Sequence, residues 1–217
     1  YDSGDKPFRS SPIMGMVPRY GVGQSIDYRD RDVPRTQIGN SCVGHSIDGD
    51  AALSMAIAGT PIAFPSALLP YTGSRMLDRA SVDEPLLDVG CSGRQALSWC
   101  RGRGMVAEFN WPETGDNINS IPPLDVLQKE DSAKLKAYYR IDNVDVTGGM
   151  RMALSKGYCP FFGMQVDQKY ADLQASVYES QGGAVLGNHA QVIIGFDSLL
   201  DAFLVRNTWV PQWGDEG

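Results

Sequence analysis

The chain has 217 residues, 42% hydrophobic and 21% charged, with a formal net charge of −7. That length can bury one large core or two small ones, and mixed charges at this density do not make a disordered chain. An acidic balance argues against nucleic acid, which wants a basic face, and no apolar run approaches the roughly 18 residues a membrane-spanning helix needs.

Residues 1–26 hold four Gly and three Pro with little periodicity and are expected to form an extended arm. The sequence opens on Tyr1 rather than Met, which leaves room for a removed signal peptide or pro-segment. From Ser41, an N-cap residue type, the run CVGHSIDGDAALSMAIAG repeats apolar residues near helical spacing and meets a stop signal at Gly59. A second helix is expected over GRQALSWCRGRG, 93–104, and residues 109–131 are expected to form a long loop with one helical turn. Its polar stretch ETGDNINS, 113–120, is expected to face solvent. The second half changes character. The helix-like GGMRMALSKG precedes three β-rich runs, YCPFFGMQV, AQVIIGFD and AFLVRNTWV. Helices first and strands later predict an α+β protein with two lobes.

Four cysteines, Cys42, Cys91, Cys100 and Cys159, are too few for a disulfide-built scaffold of this size. No C-x-x-C pair occurs, and neither histidine lies in an H-E-x-x-H or H-x-x-x-H frame, so no metal or other cofactor is expected. Cys100 and Cys159 sit in apolar contexts and read as buried thiols. A Cys91–Cys100 bridge is not expected.

NSCVGHS, 40–46, is the informative stretch. A cysteine at a helix start meets free N–H groups and peptide dipoles, which favour the thiolate and lower the thiol pKa. A thiolate nucleophile needs an imidazole, and the imidazole needs an orienting group. His45 lies one turn along the same helix with no evident orienter beside it. His189 lies in GNHAQVIIGF, 147 residues beyond Cys42, and Asn207 lies in VRNTWV at the end of another run of strand character. Adjacent strands would bring His189 and Asn207 together.

These segments, in this order, resemble the papain family of cysteine peptidases. QIGNSC resembles its Gln-containing oxyanion segment leading into the nucleophile, and IDYRD resembles its "V-D-W-R" start. DVGCSGRQALSWCRGRGMVAE is similar to its substrate-strand segment, NHAQVIIGFD to "D-H-A-V-x-x-V-G-Y", and RNTWVPQWGDEG to "K-N-S-W-G-x-x-W-G-E-x-G". The Cys-to-His separation also falls within the roughly 130–150 residues typical of the family. The resemblance covers about 27–217 and implies a papain-like two-lobe fold. In it, a helical lobe at 27–140 is led by the nucleophile helix, and an antiparallel β-barrel-like lobe occupies 141–217. It implies a thiol peptidase in which Cys42 is the nucleophile, His189 the acid/base, Asn207 the orienter of the ring and Gln37 an oxyanion donor. Trp209 and Trp213 would screen the His–Asn pair, and Ser92, Gly93, Arg94 and Asn188 would meet substrate. A polypeptide is the implied partner, and the resemblance allows a pro-segment or an inhibitor.

The departures from the family pattern define a second expectation. Gln37 stands one residue closer to Cys42 than usual, with Thr36 at the usual count. Val43 replaces a Trp, Gly39 and Asn40 replace a disulfide cysteine and so leave Cys91 unpartnered, Arg94 replaces a glycine, and Asn188 replaces an acidic residue. These favour an alternative, a papain-like binding or structural module with weak or no proteolysis. Thiol-based amide hydrolysis in peptidoglycan is a third reading, although the sequence around Cys42 lacks the usual signature. Few cysteines and no required disulfide fit a prokaryotic or viral source, with secreted and cytoplasmic locations both open.

Overall fold

The computed structural model describes all residues except 1–5, 22, 61–62, 130–133, 142–143, 175–176, 181 and 216. The first residues of the expected arm and the end of the 109–131 loop therefore lie outside the described residues. The elements run β1 (Ile26–Asp27), α1 (Cys42–Ala58), α2 (Leu68–Asp78), α3 (Gly93–Gly102), α4 (Leu124–Leu127), α5 (Val146–Ser155), β2 (Phe161–Asp167), α6 (Gln168–Ala171), β3 (Val185–Asp197) and β4 (Ala202–Arg206). The result is α+β: helices precede an antiparallel sheet. The arm is not wholly extended; short 3-10 turns occupy Phe8–Ser10 and Pro12–Gly15. Among the described residues no helix is long and apolar enough to cross a membrane.

Strand β3 is the spine of the sheet. Val192 pairs with Phe161 of β2 and Arg206 of β4, while Gly195 pairs with Asp27 of β1 and Leu204 of β4. So β1 and β2 share one edge of β3, and β4 holds the other. Ile26, Val192, Ile193, Ile194 and Phe196 form one core with Leu53 and Ile57 of α1 and Leu154 of α5. Removing each such side chain from water contributes roughly 1.5–3 kcal/mol.

Helix α1 is buried nearly all round in its first half, where small residues permit close packing. A Cβ on Gly44 would lie 2.1 Å from the Ala67 carbonyl oxygen, and one on Gly49 would strike the Arg206 guanidinium. That second gap matters for the site. Arg206, the last residue of β4, is 2% exposed and reaches under α1 to pair with Asp32, Nη1 to Oδ1 at 3.4 Å. It therefore ties the residue just ahead of Asn207 to Asp32 while packing against Gly49 of the helix that begins with Cys42. At its far end α1 closes as expected on Gly59, in the left-handed region at φ 77°, with the Thr60 N–H returning to Met55.

Helix α2 was not expected from the sequence. Leu68, Leu69 and Tyr71 are fully buried in it, and Pro70 falls in the first turn, where the missing N–H costs no helical bond.

Candidate active site

His189 and Asn207 meet across the sheet. His189 Nε2 lies 2.6 Å from Asn207 Oδ1, with both residues buried. The backbone N–H of Thr208 donates to the same Oδ1 at 2.7 Å. A backbone N–H can only donate, so that amide atom is oxygen, and the imidazole must carry its proton on Nε2. In the neutral ring Nδ1 then keeps its lone pair. Burial lowers the imidazole below its ordinary value, and the Asn207 bond partly opposes this.

Cys42 opens α1 and is half-buried, its sulfur against the backbone N–H of Ala190, the residue after His189. Burial pushes the thiol above its ordinary value; the N–H groups of Ala190, Val43 and Cys42 itself pull the other way, and Asp88 adds a further upward push. The lowered thiol expected at a helix start is thus not found, because loss of water outweighs the terminal N–H groups. Ser41 also departs from its expected role. Its hydroxyl caps no helix N–H and instead donates to the Ile38 carbonyl at 2.9 Å.

Trp209 stacks on His189, and Trp213 meets Trp209 edge-on while donating its indole N–H to the Tyr170 carbonyl. Gln37 lies beside this group: its N–H donates to the Thr208 carbonyl at 2.7 Å, and its Oε1 accepts from the Thr208 hydroxyl at 2.6 Å. Its Nε2 donates to the Gly39 carbonyl at 2.6 Å, which leaves one amide hydrogen for another acceptor.

The helix expected over 93–104 forms as α3, Gly93–Gly102, and its first turn takes in two of the residues expected to meet substrate. Ahead of it Ser92 is extended; its Oγ caps α3 by accepting from the Gln95 N–H, and its carbonyl accepts from the Ser74 hydroxyl. Gly93 and Arg94 form the first turn of α3. Asn188 is exposed on β3, on the face opposite His189.

Asp88 takes the place where the resemblance puts a cross-link. It accepts from the Asn40 N–H at 3.0 Å and from the Tyr71 hydroxyl, and its carbonyl accepts from the Asn40 amide at 2.8 Å. All four cysteines are free, as expected for Cys100 and Cys159, and burial pushes the Cys91 thiol up to about 12. The 113–120 stretch is only partly the solvent-facing loop expected. Glu113 turns inward with a side chain 4% exposed, and its Oε2 lies 2.8 Å from Nε2 of His45. The sequence offers no orienter for His45; the structure supplies this one from 68 residues away. Among the described residues no group of His, Cys, Asp and Glu is arranged to hold a metal ion.

Residues 80–217 match the sequence model of the papain family of cysteine proteases. The chain belongs to this family. The matched papain-family region contains His189 and Asn207 and begins after Cys42. An uncharacterized peptidase C1-like protein of Acanthamoeba polyphaga mimivirus is 27% identical over 168 residues, covering 70% of this chain and 51% of that protein. A probable cysteine protease of Arabidopsis thaliana is 23% identical over 136 residues, covering 59% and 35%. The chain thus spans about half, or less, of the length of these curated relatives. Among solved structures, xylellain, a cysteine protease from Xylella fastidiosa, superposes with a TM-score of 0.79 at 18% identity, over 100% of this chain and 84% of that one. Digestive procathepsin L 3 of Tenebrio molitor gives 0.75 at 17% identity, over 98% and 66%. At such identities the likeness is one of fold, here the papain fold.

Proposed function

We propose that the chain is a thiol peptidase that cleaves peptide bonds through a thioester intermediate. The observation that carries this is the buried His189–Asn207 hydrogen bond, set beside the helix terminus that bears Cys42.

The chemistry follows from the tautomer. With Nε2–H engaged by Asn207, Nδ1 is the proton acceptor for the Cys42 thiol. Burial opposes either charge alone, yet thiolate and imidazolium formed together offset one another. The sulfur bonds to the substrate carbonyl carbon, and the C=O electron pair moves onto oxygen. In this reading the Cys42 backbone N–H and the remaining Gln37 amide hydrogen are the donors to that oxyanion, of a kind typically worth roughly 2.7–4 kcal/mol each. The tetrahedral species collapses, the imidazolium protonates the leaving amine, and water then hydrolyses the thioester. Trp209 and Trp213 keep water from the His–Asn bond. Ser92, Gly93 and Arg94 border the groove in this reading, Asn188 does not because it faces away from His189, and the partner is a polypeptide.

A second reading, a papain-like binding module with little turnover, is favoured by the helical turn at Gly93 and Arg94 and by the Gln37 amide's bond to Gly39. An irreversible thiol-directed peptidyl probe separates the two. Labelling of the native chain but not of Cys42→Ala supports the peptidase; labelling of neither supports the module.

A further inference from the structure

A second buried acid–base pair flanks the nucleophile helix, and the reaction as proposed does not use it. His45 lies one turn beyond Cys42 on α1, 2% exposed, and meets Glu113 at 2.8 Å. The same carboxylate oxygen, Oε2, accepts from the backbone N–H of Ile38 at 2.9 Å. The Ile38 carbonyl is in turn held by the Ser41 hydroxyl. Both backbone polar groups of Ile38 are thereby fixed, and its chain neighbours are Gln37 and Gly39.

The carboxylate is itself anchored. The Glu113 N–H donates to Glu108 Oε1 at 3.1 Å, and Arg35 links Glu108 at 2.8 Å to Asp48 of α1 at 2.6 Å. Asp48 stands three residues after His45, so α1 grips the 108–113 segment at two points. Removing a carboxylate and an imidazole from water is costly unless both are well paired, and such pairs are better explained by the arrangement they fix than by net stability. What this pair fixes is the Gln37–Cys42 segment, which is free of any covalent tie.

We propose that Glu113, held by His45, is a positioning residue for acyl transfer: it sets the path of the backbone from Gln37 to Cys42, and with it the donors that meet the oxyanion. This rests on the peptidase reading above. Glu113 takes no proton and touches no substrate; it acts through the Ile38 N–H.

The test compares two reactions of one sulfur. Cleavage of a peptide amide passes through an oxyanion. Alkylation by iodoacetamide does not: the thiolate forms a C–S bond as the C–I bond breaks, and iodide leaves. Glu113→Gln keeps the shape and one weaker acceptor; Glu113→Ala removes it. We expect kcat on a fluorogenic peptide amide to fall about 10-fold for Gln and about 100-fold for Ala. KM and the alkylation rate at Cys42 should stay within about 2-fold of the native chain. A kcat unchanged in Glu113→Gln overturns the proposal, as does a parallel fall of turnover and alkylation, which would mean loss of structure alone. Should Glu113→Ala not fold, Glu113→Gln still decides. A native chain that cleaves no peptide sinks the peptidase reading and this proposal with it, whereas a fully active Glu113→Gln sinks this proposal alone.

Discussion

Trp209 lies over the imidazole of His189, ring centroids 4.7 Å apart and planes 29° from parallel. An indole face at that distance excludes water from the side chain pair beneath it, and a hydrogen bond in such a setting is stronger than one that competes with solvent. Trp209→Ala opens the 2.6 Å His189–Asn207 bond to water. The expected outcome is a kcat lower by about 10-fold, the scale of one hydrogen bond's net worth of roughly 1–1.5 kcal/mol. Trp209→Phe should recover most of it, and steady-state kinetics on one peptide substrate checks both. An unchanged kcat in Trp209→Ala would show that the indole does not guard the pair.

The two histidines are expected to fail differently: His189→Ala in turnover alone, and His45→Ala chiefly in stability, with the smaller fall in turnover that a loosened Glu113 brings. His189→Ala should fold and lose turnover, because no other imidazole stands beside Ala190. His45→Ala strands the buried Glu113 carboxylate, at a cost of about 3–5 kcal/mol. For a chain of this length that lowers the melting temperature by about 6–20 °C. Calorimetry and peptide turnover measured on both variants give the answer, and the reverse pattern would reassign the acid/base. Asn207→Ala belongs with His189: the ring loses its orienter but not its basicity, so a residual rate should persist.

Much of this was legible because chemistry and periodicity coincide in the sequence. Cys42 heads a helical run that Gly59 ends, and His189 and Asn207 lie in or just beyond apolar strands that β pairing brings together. Local signals failed where the partner is remote. Glu113 sits in a polar stretch with nothing to mark it as buried, and only the fold carries it to His45. Asp88 likewise gives no sign that it will hold Asn40. Helix α2 was hidden by Pro70 and Gly73, which punctuate a chain locally but cost little in a first turn or at a close helix contact. The Cys42 thiol departs from the sequence expectation for a related reason: a helix start can be read from sequence, whereas the burial that overrides it cannot.

Gly39 carries a conformational demand that a substitution would expose. Its φ is 58°, in the left-handed region, and a Cβ there would lie 2.0 Å from Asp88 Oδ2. Gly39→Ala therefore strains the backbone by about 1–2 kcal/mol and pushes away the carboxylate that holds Asn40. Both effects fall on the segment between Gln37 and Cys42. The expected result is a loss of peptide turnover larger than the loss of thermal stability predicts, measured as kcat beside the melting temperature. Asp88→Asn, which leaves the glycine in place, should cause a smaller loss of both; equal activity in Gly39→Ala and the native chain would show that this turn does not set the site.

The pH dependence of stability offers an independent view of the His45–Glu113 pair. Burial alone would raise the Glu113 carboxyl, but the His45 imidazole first and the Ile38 backbone N–H with it outweigh that and hold the group below its ordinary 4.5. Unfolding returns it to the ordinary value. Between the lowered native value and 4.5 the unfolded chain therefore binds more protons than the folded one, and stability rises with pH across that window. The contribution is fully present above the ordinary value and is lost as pH falls through the native one. Glu113→Gln has no proton to take up, so its melting temperature should fall less steeply below pH 4.5 than that of the native chain, while Asp27, also held low by Arg29, continues to titrate in both. Melting curves recorded from pH 3 to pH 6 on the two proteins test this. Parallel acid limbs would mean that the Glu113 carboxylate is not stabilised in the folded state, and the buried pair would lose its place as the anchor of Ile38.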